Sequence, residues 1–298
     1  MKENEASATA YAVLQGLLYV GRKPRYNGLV ADDVLTAGQT ILAATEEGRK
    51  RLRQLDSALF RTIVPLMETL LVPGLTLHYA LRKRFIEDAV LSAIEAEGVT
   101  QVVNLGAGFD TLAWRLHERF PEVNFIEIDH PATGAAKAQA LGEPMAAAEN
   151  LHQLSVDFTR QTLAARLGGF SGFQPERTTL YICEGVMAYL TEEQVTEMLE
   201  TLVTLSLGAA PWLVCTCVEP LEAPENNTGP LLGTYLRMKG ESIHWRIAHG
   251  TIKSFLADRG YEMMDLGTVT EFKTRYLSGI DHGVTHGGEY GVLARARQ

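Results

Sequence analysis

Residues 101–111 read QVVNLGAGFDT, a short apolar strand that leads directly into two glycines. Glycines at the tip of a strand let the backbone turn sharply and leave no side chain between that turn and a bound molecule. A second apolar stretch, residues 123–128, is followed by Asp129. A carboxylate at this place accepts hydrogen bonds from both hydroxyls of a ribose, because it has only acceptor lone pairs. The pattern predicts a nucleoside-binding site in which Asp129 binds the ribose. Glu127, which lies on the same strand, is the alternative acid for this role.

The residues after the glycines distinguish two kinds of nucleoside ligand. The dinucleotide fingerprint requires a third small residue, and Thr111 occupies that position. Asp110 also sets a negative charge where the phosphates of a dinucleotide bind at a helix N-terminus. S-adenosyl-L-methionine has a ribose but no phosphates, and both its sulfonium and its ammonium are positive. The pattern favours S-adenosyl-L-methionine, and a nicotinamide-dependent oxidoreductase is the alternative.

Further motifs surround the glycine turn in a fixed order. They are RKRFIE at 82–87, LGAGFDT at 105–111 with Arg115-Leu116, EIDHP at 127–131 with Lys137, SVDF at 155–158 and EGVMAYL at 184–190. Together they resemble the leucine carboxyl methyltransferase family, including its bacterial polyketide-type O-methyltransferases. The resemblance implies a Rossmann-like class I methyltransferase fold. It also implies S-adenosyl-L-methionine as the cofactor and S-adenosyl-L-homocysteine as the product.

The resemblance also implies a role for individual residues. Backbone groups of the glycine turn lie near the methionine part of the cofactor, an acid after each of the next two strands binds the ribose and the adenine, and a further acid ends the fourth strand. The cofactor-binding residues predicted in this way are Arg84, Gly106, Ala107, Gly108, Asp129, Asp157, Phe158 and Glu184.

Two of these assignments have an alternative. Arg84 is expected to bind the carboxylate of the cofactor, because a guanidinium pairs with a carboxylate through two hydrogen bonds. Arg82 is two residues away, so on a helix only one of the two arginines faces the site. Asp157 is expected to accept the adenine amino group, and the structural alternative is an N-cap of a helix that begins near Thr159.

The predicted catalytic residues are Glu184 and Tyr189, at the sheet edge where the transferred methyl group should lie. Neither is a convincing general base. A carboxylate acceptor needs none, since it is already an anion and requires only alignment and desolvation. A hydroxyl acceptor requires a base that is active near neutral pH. The sequence predicts no metal site.

Composition limits the partners. The 298 residues include 46% hydrophobic and 21% charged residues, which is typical of a soluble globular protein. A net charge of −9 argues against a nucleic-acid surface. The chain has no apolar run of the roughly 20 residues that span a bilayer, so no membrane partner is predicted. Three cysteines without disulfide-like or zinc-like spacing favour a reducing cytoplasm.

Periodicity divides the chain into a helical cap at 1–98 and a cofactor-binding domain at 99–298. The cap is expected to contain helices at 6–20, 36–55, 59–71 and 78–97. Strands near 101–105, 123–128, 151–156, 178–183, 211–218, 261–267 and 289–295 alternate with helices, as in a mostly parallel seven-stranded α/β sheet with helices on both faces. A stretch at about 220–250, rich in proline and glycine, interrupts this alternation after strand five and is predicted to be a lid.

These expectations combine into one hypothesis. The chain is an S-adenosyl-L-methionine-dependent O-methyltransferase that acts on a carboxylate or hydroxyl of a small-molecule acceptor. The nicotinamide-dependent oxidoreductase and a non-catalytic protein that uses the same fold as a sensor or scaffold are the alternatives.

Overall fold

The computed structural model of the protein describes residues 6–157, 160–229 and 242–297. It contains a seven-stranded sheet with the strand order β3-β2-β1-β4-β5-β7-β6. All neighbouring strands are parallel except β7, which is antiparallel to both β5 and β6. The strands are β1 Gln101–Leu105, β2 Asn124–Asp129, β3 Leu151–Ser155, β4 Thr179–Cys183, β5 Trp212–Val218, β6 Tyr261–Gly267 and β7 Glu289–Ala296. The predicted α/β fold class is confirmed.

The centre of the sheet determines where a ligand can bind. Every residue of β1 and β4 is buried, as expected for parallel strands covered by helices on both faces. Leu105 at the end of β1 is in register with Ile128 of β2 and with Cys183 of β4. Strand β1 lies between β2 and β4. The chain passes from β1 to β2 and later crosses back to β4, on the other side of β1. The loops after these three strands therefore meet at a topological switch point, where α/β sheets bind ligands.

Helices precede the sheet and cover it. The helices before β1 are α1 Ala8–Gly21, α2 Asp32–Ala44, α3 Glu46–Asp56, α4 Ala58–Leu71 and α5 Leu75–Ala96. The later ones are α6 Leu112–Leu116, α7 Pro131–Ala147, α8 Leu163–Gly168, α9 Glu192–Leu205, α10 His249–Ala257 and α11 Val269–Tyr276.

The helix expected over residues 36–55 is two helices. Thr45 separates α2 from α3, because its side chain accepts a hydrogen bond from the Gly48 N–H at 3.0 Å and so caps a new helix. Glu46 and Glu47 lie in the first turn of α3, where negative charge is favourable. The expectation of one continuous helix was wrong at this threonine.

Helix α5 joins the N-terminal helices to the sheet. Phe85 is 2% exposed and its ring centroid lies 5.7 Å from that of Phe272 on α11. Glycines of β6 and β7 make room for this ring, since a Cβ at Gly291 would lie 2.5 Å from it and a Cβ at Gly267 would lie 2.9 Å from it. Helix α5 therefore packs directly on the antiparallel end of the sheet.

Helix α4 packs differently, because five large apolar side chains on one of its faces are exposed. They are Leu59, Ile63, Leu66, Met67 and Leu70.

Across the residues that the structure describes, no helix on its own has the length and apolarity needed to cross a membrane. Helices α4 and α5 meet that test only as a pair bent by 82°.

The predicted lid at 220–250 is described only at its two ends, because residues 230–241 lie outside the described residues. On the C-terminal side, the backbone N–H groups of His244 and Trp245 both donate to the Ala188 carbonyl, at 2.8 and 3.2 Å. This end of the segment is therefore fixed against the turn that contains Tyr189.

Replacing Phe85 with alanine should destabilise the protein strongly. Loss of a buried phenylalanine typically costs about 3–5 kcal/mol, and the glycines around it offer no side chain that could fill the cavity. The free energy of unfolding, measured by urea denaturation, reports this loss. The control is Leu59→Ala, which removes a side chain that is 69% exposed. Equal effects of the two substitutions would contradict the proposed anchoring role of Phe85.

Candidate functional site

The glycine turn after β1 closes against the end of β2. Gly106 and Gly108 have φ angles of 68° and 55°, in the left-handed region that favours glycine. The N–H groups of Gly106 and Ala107 both donate to the Ile128 carbonyl, at 2.8 and 3.1 Å. A Cβ at Gly106 would lie 2.6 Å from a methyl carbon of Val186. The turn is thus held between β2 and the loop that follows β4.

Asp129 holds the turn and still has capacity to bind a ligand. Its Oδ2 accepts the Gly108 N–H at 2.6 Å, and its Oδ1 accepts the His130 N–H at 2.7 Å. Burial raises the pKa of the Asp129 carboxyl, although both backbone hydrogen bonds act in the opposite direction. Each oxygen retains a lone pair, so the carboxylate can accept hydrogen bonds from the two hydroxyls of a ribose.

A narrow cavity lies beside Asp129. Its walls include Ala107 and Gly108 of the turn, Gly134 of α7, and Leu154 and Ser155 of β3. The carboxylate that the sequence predicted to bind ribose therefore faces a concave surface bordered by the glycine turn.

Asp110 sets a buried negative charge at the glycine turn. Its Oδ1 accepts the Leu112 N–H at 3.1 Å, and its Oδ2 accepts a hydrogen bond from the Asn104 side chain at 3.1 Å. Burial favours the neutral form, but Lys83 and Lys137 outweigh it and lower the pKa of Asp110 to about 2. An ionised carboxylate thus accepts the first backbone N–H of α6, at the helix N-terminus that binds pyrophosphate in dinucleotide-binding folds.

Glu127, the fallback for ribose binding, has a structural role. Lys137 Nζ lies 2.7 Å from both Glu127 carboxylate oxygens and also donates to the Asp110 carbonyl. Lys137 and Glu127 are 1% and 3% exposed at their side chains. Burial raises the pKa of Glu127, and Lys137 counteracts part of that effect. This ion pair is tied to the glycine turn through the Asp110 carbonyl and lines the same cavity as Asp129.

Glu184 follows β4 and contacts two cations of α5. Lys83 Nζ lies 2.7 Å from its Oε2, and Arg82 Nε lies 2.8 Å from its Oε1. The Arg82 N–H is not aligned for a hydrogen bond, so this second contact is an ion pair only. Glu184 is 9% exposed at its side chain. The predicted residue Glu184 therefore lies at the carboxyl end of the parallel strands, and its carboxylate is already paired with positive charge.

Arg82 is fixed by a second acid. Both oxygens of Glu289, the first residue of β7, accept from Arg82 Nη1, at 3.0 and 2.9 Å. His78 Nε2 lies 2.9 Å from Glu289 Oε2. Burial raises the pKa of the Glu289 carboxyl, but Arg82 outweighs it and holds that pKa well below its usual range. The sequence analysis missed Glu289 and His78, which no local motif marks.

The structure places Arg84 in another group of residues. Its side chain is 38% exposed, and Nη2 lies 3.9 Å from Asp88, which accepts the Tyr276 hydroxyl at 2.8 Å. The expectation that Arg84 rather than Arg82 faces the predicted site is therefore corrected. Lys83 and Arg82 are the cations of α5 that contact Glu184.

The remaining predicted residues lie at the sheet edge or outside the described residues. Tyr189 ends the short helical turn Met187–Tyr189 and is 38% exposed. Asp157 follows β3 and its Oδ2 lies 3.4 Å from Arg160 Nε. The N-cap of α8 is Thr162, whose side chain accepts from the Ala165 N–H, so Asp157 does not cap that helix. Phe158 lies outside the described residues.

No cluster of histidine, cysteine and acidic side chains suited to a metal occurs within the described ranges. The arrangement instead brings Asp110, Asp129 and Glu184 to the ends of β1, β2 and β4, around one glycine turn. Acidic groups with spare acceptor capacity suit a positively charged nucleoside.

The strand order, the antiparallel β7 and the glycine turn at the switch point define a Rossmann-like class I methyltransferase fold. The leucine carboxyl methyltransferase family model matches residues 27–203, which is more than half of the chain. The chain belongs to the leucine carboxyl methyltransferase family, as the motifs predicted.

Two relatives are provisionally named S-adenosyl-L-methionine-dependent methyltransferases. The relative from Parafrankia sp. (strain EAN1pec) is 37% identical over 132 residues, which cover 43% of this chain and 41% of that protein. The relative from Mycobacterium marinum (strain ATCC BAA-535 / M) is 28% identical over 245 residues, 82% of this chain and 71% of that protein. The chain thus spans less than half of the first relative's length.

Solved structures show the same fold at low sequence identity. A DUF574 family protein from Streptomyces avermitilis has a TM-score of 0.63 at 13% identity, and the match covers 99% of this chain and 98% of that chain. A provisionally named methyltransferase from Thermobifida fusca has a TM-score of 0.60 at 14% identity, covering 87% and 94% of the two chains.

Replacing Lys137 with methionine should cost about 3–5 kcal/mol of stability at neutral pH, since it leaves Glu127 buried and unpaired. The loss should shrink as the pH falls toward about 4, because the folded state then takes up a proton on Glu127 more readily than the unfolded state. Urea denaturation at several pH values measures this dependence.

Two further variants make the Lys137 test specific. Lys253→Met removes an exposed lysine and should leave stability nearly unchanged. Adding Glu127→Gln to Lys137→Met should recover part of the loss, because the buried group is then neutral. A loss independent of pH would count against the buried ion pair.

Proposed function

We propose that this S-adenosyl-L-methionine-dependent methyltransferase transfers the methyl group to an oxygen of a small-molecule acceptor, a carboxylate or a hydroxyl. One observation carries the choice of cofactor: carboxylates outnumber lysines and arginines where β1, β2 and β4 end and β7 begins. The acids are Asp110, Glu127, Asp129, Glu184 and Glu289, and the cations are Arg82, Lys83 and Lys137. A cationic ligand offsets this excess, whereas a dinucleotide phosphate increases it.

The residues fit S-adenosyl-L-methionine group by group. Asp129 is placed to accept the ribose hydroxyls beside the glycine turn. Asp157 follows β3, next to the strand that carries Asp129, and is assigned to the adenine amino group. Glu184 is an acceptor for the ammonium, and the turn at Gly106 to Gly108 admits the methionine part without a side chain in the way.

The bound cofactor supplies an electrophilic methyl group on a sulfonium. The contribution of the chain is to orient the acceptor, exclude water and present fixed charges that match the loss of the sulfonium charge. A carboxylate acceptor needs no proton removed, which agrees with the lack of a histidine beside Glu184 among the contacts described. This acceptor chemistry is also the one that the family's name denotes.

Two tyrosines are candidates to orient the acceptor. Tyr189 lies in the turn after β4, and Tyr79 lies on α5 with its ring centroid 5.2 Å from the guanidinium carbon of Arg82. Burial raises the pKa of the Tyr79 hydroxyl well above its usual value. This hydroxyl therefore stays protonated and can donate a hydrogen bond to an acceptor oxygen.

Replacing Asp129 with alanine should weaken S-adenosyl-L-homocysteine binding roughly 10- to 100-fold, the size expected for lost hydrogen bonds to a charged group. Isothermal titration calorimetry measures it, with Asp258→Ala as a control on an exposed aspartate. Asp129→Asn keeps one acceptor oxygen and should fall between the two. Binding of NAD⁺ by the wild type, without binding of S-adenosyl-L-homocysteine, would instead support the oxidoreductase.

Methyl transfer from labelled S-adenosyl-L-methionine across a panel of carboxylic acids and phenols tests the reaction itself. For a carboxylate acceptor, kcat/KM should rise with ionisation of the acceptor and stay level through neutral pH. Tyr189→Phe should then lower kcat less than about tenfold, whereas loss of a general base costs about 100-fold or more. Cofactor binding without transfer to any acceptor would favour the sensor or scaffold.

A further inference from the structure

Glu184 and Asp110 approach the same ammonium group. Lys83 Nζ lies 2.7 Å from Glu184 Oε2 and 3.2 Å from Asp110 Oδ2. The side chains of Lys83, Glu184 and Asp110 are 18%, 9% and 6% exposed. A primary ammonium is thus held between the acid that follows β4 and the acid of the glycine turn.

The amino-acid end of S-adenosyl-L-methionine contains the same chemical group. Its α-ammonium is a primary ammonium that requires acceptors such as a carboxylate, and the neighbouring α-carboxylate requires a cation. A ligand with both groups can place its ammonium between Glu184 and Asp110, where Lys83 Nζ lies, and at the same time offer its carboxylate to Lys83 as a new partner. Every charge remains paired in such an exchange, so it avoids the cost of an isolated buried ion.

Of the cations described at this edge of the sheet, Lys83 is the one suited to exchange. Arg82 is held through two hydrogen bonds to Glu289. Lys137 is 1% exposed and bonded to both oxygens of Glu127. Lys83 is more exposed than either, and a lysine ammonium on a flexible four-carbon stem can reach a second partner without moving its helix.

We infer that Lys83 is an internal stand-in for the cofactor ammonium: it pairs with Glu184 in the free protein and moves to the cofactor carboxylate in the complex. The inference rests on the proposed function and names Lys83, not Arg84, as the carboxylate-binding cation. The resemblance leaves the middle position of the R-x-R segment open, so this role belongs to the residue that this chain has there.

The test compares two ligands that differ only in the carboxylate, S-adenosyl-L-methionine and its decarboxylated form. Calorimetry on the wild type should give a preference of roughly 10- to 100-fold for the carboxylated ligand. In Lys83→Met this ratio should fall close to one. The ratio is informative because removal of the competing lysine ammonium affects both ligands equally.

Two controls complete the design. Lys83→Arg keeps a cation and should preserve the preference, while Arg84→Met alters the half-exposed neighbour and should leave it unchanged. Thermal unfolding checks that each variant is folded, and Lys83→Gln is the second variant if the methionine variant is not.

The outcomes separate the inference from the proposed function. A wild type that binds neither ligand contradicts the proposed function. A wild type that binds S-adenosyl-L-methionine, with an undiminished preference in Lys83→Met and Lys83→Gln, overturns the inference alone. Loss of the preference in Arg84→Met would also overturn it, because Arg84 would then be the carboxylate-binding residue.

Discussion

Buried carboxylates at the ends of the parallel strands must be matched by positive charge, and this requirement organises the rest of the structure. Helix α5 supplies Arg82 and Lys83, and α7 supplies Lys137. Removing one partner of such a pair is far more costly than removing an exposed charge. The helices that precede the sheet are therefore joined to it by ionic contacts as well as by the packing of Phe85.

The same charges determine the electrostatic environment of the glycine turn. In dinucleotide-binding folds, the N-terminus of the helix after the first strand is free to bind phosphate. Here Asp110 occupies that position on α6 and is itself held by cations. Asp110 thus accepts the first backbone N–H of α6 and sets a negative charge there, while Asp129 keeps lone pairs that can accept hydroxyl groups.

Much of this architecture was predictable because its signals are local. The strands, the glycine turn and Asp129 are marked by apolar runs and by glycine, and the structure has them where expected. The orientation of Arg84 was not predictable. Helix α5 is buried on several sides, so its pattern shows that Arg82 and Arg84 point in different directions but not which of them faces inward. Glu289 joins the cluster from more than 200 residues away, by tertiary contact alone.

The position of β7 has a consequence for synthesis on the ribosome. This strand is translated after β6, yet it lies between β5 and β6, and β6 has no other neighbour in the described sheet. A nascent chain that has emerged only as far as β6 can form the glycine turn, but it lacks the strand whose Glu289 clamps Arg82. Arg82 therefore gains its two hydrogen bonds to Glu289 only after β7, the last strand of the described sheet, has been translated.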